Sequence, residues 1–329
     1  MDERQYHLLK ICAVILSYIV IACIIACIMQ RIDTGGWAGV DADRFHEMAR
    51  MIINGFTPYV SYVDPKPPLL YFVVSAMDLA GSPGLLDLPV ITGINILCAL
   101  LIFSLGNEDY GYISGFFAGF FFLVVAAFVQ GYFLFSEQFA VLFLLLAFIS
   151  ARKSGYICAG ICFGLAFGFK QYALLGLIPL LYMMWRQGEK RLYFLLIPAI
   201  LVGFSSFAVL FLAYGSDAMA GALQWTFAVA PAYLSGQTIA EIPNYHADTV
   251  FSYSVCLVSS IFIVLPVVLF SAASVIRRGL RSVSERTIFL FAVLLSGTLL
   301  IRQYLHYWIL ILPFLVLLAC REFADEKKG

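Results

Sequence analysis

Asp41, Asp43, Lys66, Glu137, Lys170, Arg302 and His306 stand where an apolar chain has least reason to hold ionisable groups. Asp41 and Asp43 open the stretch Asp41-Ala42-Asp43-Arg44-Phe45-His46-Glu47-Met48-Ala49-Arg50, and Asp64-Pro65-Lys66-Pro67-Pro68 follows it. Glu137 interrupts Phe135-Ser136-Glu137-Gln138, Lys170 interrupts Gly168-Phe169-Lys170-Gln171, and Arg302, Gln303, Tyr304, His306 and Tyr307 make a further polar group. Charged side chains near membrane depth are costly and usually functional. Carboxylates and cations gathered beside lipid suit a surface reaction on a lipid-linked substrate, with Lys66 in a rigid Pro-rich segment suited to a headgroup phosphate. Each residue also has a structural reading. Asp41 or Asp43 is equally an N-cap, where the helix dipole favours a carboxylate. Lys66 can snorkel and pair with Asp64, and Lys170 can simply turn a hairpin. Belt anchoring accounts for Tyr304, Tyr307 and Trp308, but less well for Arg302 and His306. Glu241, His246 and Asp248 read as solvated.

The elements that must position these groups follow from composition. Of 329 residues 62% are hydrophobic and 12% charged, about half the charge of an ordinary soluble domain, which excludes a water-soluble globule. Lys plus Arg and Asp plus Glu are both 20, and no basic run exists, so nothing points to nucleic acid. The eight cysteines lie in apolar runs without CxxC pairing and read as small buried residues. Charged and turn-rich breaks leave apolar segments at 11–29, 85–105, 112–130, 134–150, 155–169, 171–185, 192–214, 250–275, 287–301 and 307–320. Several are short for full spans, so the expectation is an all-α polytopic bundle of eight to ten spans, with Pro68 to Ala80 as an interfacial or re-entrant helix. The first segment is too long for a signal-peptide core and reads as a retained anchor.

Placing the N-terminus in the cytoplasm puts 14 Lys and Arg inside and six outside (Arg31, Arg44, Arg50, Lys66, Lys170, Arg302), so both termini are expected to be cytoplasmic. One turn dissents: Asn107, Glu108 and Asp109 are cytoplasmic in this arrangement yet acidic. Two segments, 30–67 and 215–249, are too polar to span and are read as outer loops of a single 1–329 membrane domain in the plasma membrane. Within the first, 41–54 has Phe45, Met48, Ala49 and Ile52 at i, i+3, i+4 and i+7, an amphipathic helix stopped by Gly55.

The first outer loop resembles the GT-C membrane glycosyltransferases, in the branch of protein O-mannosyltransferases, the lipid A aminoarabinose transferase and lipopolysaccharide-core galacturonosyltransferases. The residues that carry the likeness are Asp41, Phe45, Ala49, Gly55, Pro58-Tyr59, Asp64 and Lys66-Pro67-Pro68-Leu69. Weaker matches are Ser136-Glu137, Lys170 and His306-Tyr307 through Pro313, and the chain departs from the pattern at Ala42, where many relatives carry Glu. The resemblance implies a GT-C-like fold and inverting transfer of a sugar from a polyprenyl-phosphate donor to a hydroxyl acceptor (glycan, lipid or protein) on the extracytoplasmic face. It further implies Asp41 as general base, with Asp43 able to take the second acidic role. Glu137 would orient acceptor or sugar. Lys66, then Arg302, and less strongly His306 and Lys170, would hold the departing lipid phosphate, with Tyr59 and Asp64 in the substrate loop. No cofactor is called for, no metal site is evident, and a divalent cation is neither required nor excluded. The rival classes are a transporter or flippase for the same lipid-linked sugar, which should carry polar groups along mid-span positions, and a catalytically silent assembly subunit.

Overall fold

The computed structural model describes residues 3–32, 39–234, 250–301 and 304–324, and every regular element among them is helical. The order is α1 (Glu3–Ile32), α2 (Gly39–Ile53), α3 (Pro68–Ala80), α4 (Asp87–Tyr110), α5 (Tyr112–Phe128), α6 (Ser136–Arg152), α7 (Tyr156–Phe169), α8 (Leu177–Arg186), α9 (Tyr193–Gly203), α10 (Ser205–Tyr214), α11 (Ser216–Leu234), α12 (Val250–Arg278), α13 (Val283–Ser296), α14 (Thr298–Ile301) and α15 (Trp308–Cys320). Each apolar run of the sequence falls largely on one or two of these helices, the run 171–185 only from Leu177. Five stretches among the described residues are long and apolar enough to cross a membrane: Leu8–Arg31, Asp87–Tyr110, Tyr193–Tyr214, Val283–Leu300 and Leu305–Phe323.

Local chemistry sets several boundaries. Pro68 opens α3, where a missing N–H costs nothing. Ser282 and Glu285 form a reciprocal capping box that starts α13 four residues earlier than apolarity alone suggests. The run after Lys170 begins as a 3-10 turn, Gln171–Gly176, before α8. The stretch read as an outer loop from 215 begins instead with the 19-residue α11; its Ala-rich sequence has high helix propensity, and Asp217 lies in the first turn, where the dipole favours it. Polarity alone hid that propensity.

Close helix contacts rest on small residues. A Cβ at Gly160 on α7 would sit 2.3 Å from the Leu195 carbonyl oxygen of α9, and one at Gly164 would sit 2.7 Å from that of Ala199. This four-residue spacing of glycines lets the two backbones meet, as small residues do where lipid offers no hydrophobic driving force. Gly160→Ala is therefore expected to destabilise the protein by about 1–3 kcal/mol through overpacking, read as a lower Tm of the detergent-solubilised protein.

At the end of the bundle where α4 and α6 finish, Arg152 donates to Asp109 from Nη2 and Nη1, at 2.6 and 2.8 Å, and Ser284 donates to the same carboxylate at 3.2 Å. Arg321, buried at the end of α15, lies 3.0 Å from Glu285 and donates to the Gly279 carbonyl at 2.7 Å. The acidic stretch that stood against the charge bias is thus partly compensated by Arg152, which lies 2.6 Å from Asp109 and 3.5 Å from Glu108.

Candidate functional site

The other end of the bundle gathers the candidate residues. α2 is amphipathic: Phe45, Met48 and Ala49 are fully buried, and Phe45 meets Tyr71 of α3 edge to face. Burial of Phe45 and Met48 contributes about 1.5–3 kcal/mol each relative to water, enough to seat the helix and so fix Asp41 in its first turn. Asp41 Oδ2 lies 3.8 Å from Lys66 Nζ. Burial works to raise its pKa, but Lys66, His306, Lys170 and Arg44 outweigh that and hold its carboxyl below the usual range.

The segment from Tyr59 to Lys66 is pinned at both ends. Tyr59 is buried in the left-handed region, with φ 63°, and its hydroxyl donates to the Lys66 carbonyl at 2.6 Å. A non-glycine residue there is strained, and such strain gathers at sites that need a defined backbone. α11 covers the strained residue closely: a Cβ at Gly221 would sit 2.7 Å from the Tyr59 carbonyl oxygen, a distance only glycine permits. Asp64 is buried, accepts from the Tyr71 hydroxyl, and lies 3.4 Å from Lys66 Nζ. Lys66, itself buried, stands over the Phe45 ring, 4.8 Å from its centroid. Its ammonium thus lies between two carboxylates and an aromatic face. This is the Asp64 pairing and a placement beside Asp41 at once.

The second half of the cluster comes from elements far along the chain. Lys170 Nζ is 2.6 Å from Glu137 Oε1, and the two side chains are 4% and 1% exposed, so Lys170 both stands at the turn between α7 and the 3-10 segment and forms a buried ion pair. The rings of Tyr307 and Tyr172 wall the ammonium at 4.7 and 5.2 Å. His306 Nε2 lies 3.8 Å from the same Glu137 oxygen, and its ring is stacked between Phe135, at 4.1 Å, and Tyr304, at 5.3 Å. Its Nδ1 lies 3.3 Å from Oε1 of Gln130, a second residue with positive φ, 63°. Gln171 Nε2 donates to the carbonyls of Pro65, at 2.8 Å, and Thr226, at 3.3 Å, joining the Lys66 segment to the Lys170 turn and α11. Beside the cluster, Gln138 Oε1, Gln171 Oε1 and Thr226 Oγ1 are buried without a hydrogen-bond partner among the described residues.

The structure therefore brings together Asp41, Tyr59, Asp64, Lys66, Glu137, Lys170 and His306. Asp43 is exposed on α2, outside this grouping. Arg302, Glu241, His246 and Asp248 lie outside the described residues. Sequence reasoning gave no role to Tyr71, Gln130, Phe135, Gln171 or Thr226. Gln171 adjoins Lys170 and was visible as a polar residue in an apolar run; the others carry no signal before the helices are packed. No group of three or more His, Cys, Asp or Glu side chains among the described residues is placed to hold a metal ion. A cleft of about 540 Å³, lined by Tyr156, Gln187, Glu189, Arg191 and Phe194, shares no residue with the cluster.

Chemically, the cluster offers a carboxylate kept ionised at the edge of a buried charged site, and two ammonium groups whose present partners are carboxylates. An arriving phosphate can compete for those ammonium groups. Compared with protein-family models and with curated proteins, the chain finds no match.

Proposed function

We propose that the chain is an inverting glycosyltransferase of GT-C type, using a polyprenyl-phosphate sugar at the outer face of a multi-pass membrane domain. The observation that carries this reading is the meeting of Asp41 and Lys66 from one segment with Glu137, Lys170 and His306 from three distant ones in a single charged cluster, joined by the hydrogen bond from Gln171 to the Pro65 carbonyl. A lone N-cap and a snorkelling lysine have no need of such company.

In the proposed reaction the donor phosphate engages Lys66 and Lys170. The acceptor oxygen attacks the anomeric carbon, the bond from that carbon to the phosphate oxygen breaks, and polyprenyl phosphate leaves with the electron pair. Asp41 takes the acceptor hydroxyl proton. Competition by the phosphate for Lys66 withdraws the cation that holds Asp41 low and makes it a stronger base when substrate is present. The ammonium groups bind the leaving phosphate more tightly as its charge grows, which lowers the barrier. Glu137, tied to Lys170 and close to His306, orients the sugar or acceptor. Gln138, Gln171 and Thr226, with acceptors in want of donors, suit the hydroxyls of a sugar ring.

The test is a reconstituted assay: protein in liposomes with a panel of radiolabelled polyprenyl-phosphate sugars and crude envelope acceptors, scored for release of polyprenyl phosphate. Release that requires the described cluster supports the reading. Donor crossing the bilayer with its glycosidic bond intact makes the chain a transporter instead. In the same assay Lys66→Met is expected to lower kcat/KM by about a hundredfold or more, the usual cost of removing one preorganised charge partner; unchanged kcat/KM removes Lys66 from the site.

A further inference from the structure

We propose that His46, clasped between Asp78 and Asp87, is a positioning residue for the glycosyltransferase site: as an imidazolium it locks the helix that carries Asp41 onto the bundle, and alkaline deprotonation releases it. His46 Nδ1 lies 2.9 and 3.0 Å from the two oxygens of Asp78 on α3, and Nε2 lies 2.9 Å from Asp87 at the start of α4. Carboxylates only accept, and a neutral imidazole has a single N–H, so this geometry is satisfied only when both ring nitrogens carry protons. One side chain of α2 thereby ties that helix to two others. The imidazole is 14% exposed and the carboxylates 4% and 20%, so water screens the clasp weakly.

The clasp is coupled to the site through Phe45. Phe45 lies next to His46 in sequence and one turn after Asp41, and its ring lies beneath Lys66. The charged groups facing His46 from packed elements are Asp78 and Asp87. On its own helix Glu47 pairs with Arg50 and Asp43 is exposed, while α10 touches α2 through the Tyr214 hydroxyl on the Ile52 carbonyl at 3.3 Å.

The hydrogen bond to Asp87, helped by that to Asp78 and opposed by burial, raises the pKa of His46 to about 9. A histidine raised above its ordinary value stabilises docking fully below about 6.5, and the contribution is lost as pH rises through about 9.

The test uses the full chain in lipid nanodiscs. Hydrogen exchange of the amides of α2, corrected for the intrinsic pH dependence, is followed from about pH 7 to 10.5, and donor cleavage is measured across the same range. Wild type is expected to lose α2 protection and turnover together near pH 9. His46→Gln should lose protection throughout, with turnover down roughly a hundredfold, as small misplacements of catalytic groups cost. His46→Arg keeps a permanent charge between the carboxylates and should abolish the alkaline limb. Asp87→Asn, which leaves Asp78 in place, should move the limb down by about one pH unit or more. Protection that is flat with pH in wild type, or equal in His46→Gln, overturns the clasp. Release of α2 with no alkaline limb in turnover overturns its positioning role. The activity arm rests on the glycosyltransferase reading, whereas the exchange arm does not: release of α2 in a chain that cleaves no donor leaves the clasp standing and removes the enzyme.

Discussion

Asp41→Asn is expected to lower release of polyprenyl phosphate by about 10²–10⁴-fold, the usual contribution of a positioned general base, while leaving the bundle folded. The side chain is half-buried in the first turn of α2, two residues inside its start at Gly39, and asparagine retains its size while giving up only the modest attraction of a carboxylate to the helix dipole. The amide cannot take a proton from the acceptor, so the loss falls on turnover. Donor binding should hold or improve, because the Lys66 ammonium 3.8 Å away no longer has Asp41 as a competing anion. The measurement is single-turnover release in liposomes alongside donor affinity. Turnover within a factor of about three of wild type, less than 1 kcal/mol of barrier, removes Asp41 as the base and leaves a first-turn carboxylate favoured by the helix dipole. The acid limb of the reaction also has a direction: Lys66 and its neighbours hold the Asp41 carboxyl low, so Asp41 remains ionised, and able to act, well into the acid range.

The second large effect concerns the Glu137 and Lys170 pair. Replacing either partner alone, as Glu137→Gln or Lys170→Met, is expected to destabilise the protein by about 3–5 kcal/mol, because it strands a charge among groups that are almost fully buried. Replacing both together should recover most of that stability, since the desolvation cost of two charges disappears with their attraction. Turnover should be lost in all three variants. Thermal melts in detergent separate stability from function: a stable, inactive double variant assigns the pair to substrate, whereas a stable, fully active one makes it structural. The rings of Tyr307 and Tyr172 soften the cost of Glu137→Gln by facing the ammonium, but they cannot replace an anion 2.6 Å away.

Much of the helical organisation was legible in the residues. Apolar runs as long as those of this chain admit few alternatives to helix, because a backbone without water must satisfy its own polar groups. The amphipathic spacing of Phe45, Met48 and Ala49 corresponds to the buried face of α2. α11 was less legible, because Asp217, Gln224 and the turn residues around it resemble those of a loop while its alanines favour helix. The break at Gly203 to Ser205 and the 3-10 turn after Lys170 were equally hidden, since periodicity does not distinguish a continuous helix from two packed pieces.

The amino-acid sequence by itself determined that this protein is helical, that its charge is confined to the ends of apolar segments, and that Asp41 and Lys66 belong to one short stretch. Hydrophobic transfer and backbone hydrogen bonding act locally along the chain, so composition and spacing suffice for those statements. Only the tertiary structure decided that Glu137 neutralises Lys170, that His306 lies between Phe135 and Tyr304, that Arg152 answers the acidic turn, and that His46 joins two aspartates. Coulombic and hydrogen-bond energies depend on separations of a few ångströms between groups far apart in sequence, and those separations exist only once the helices have packed.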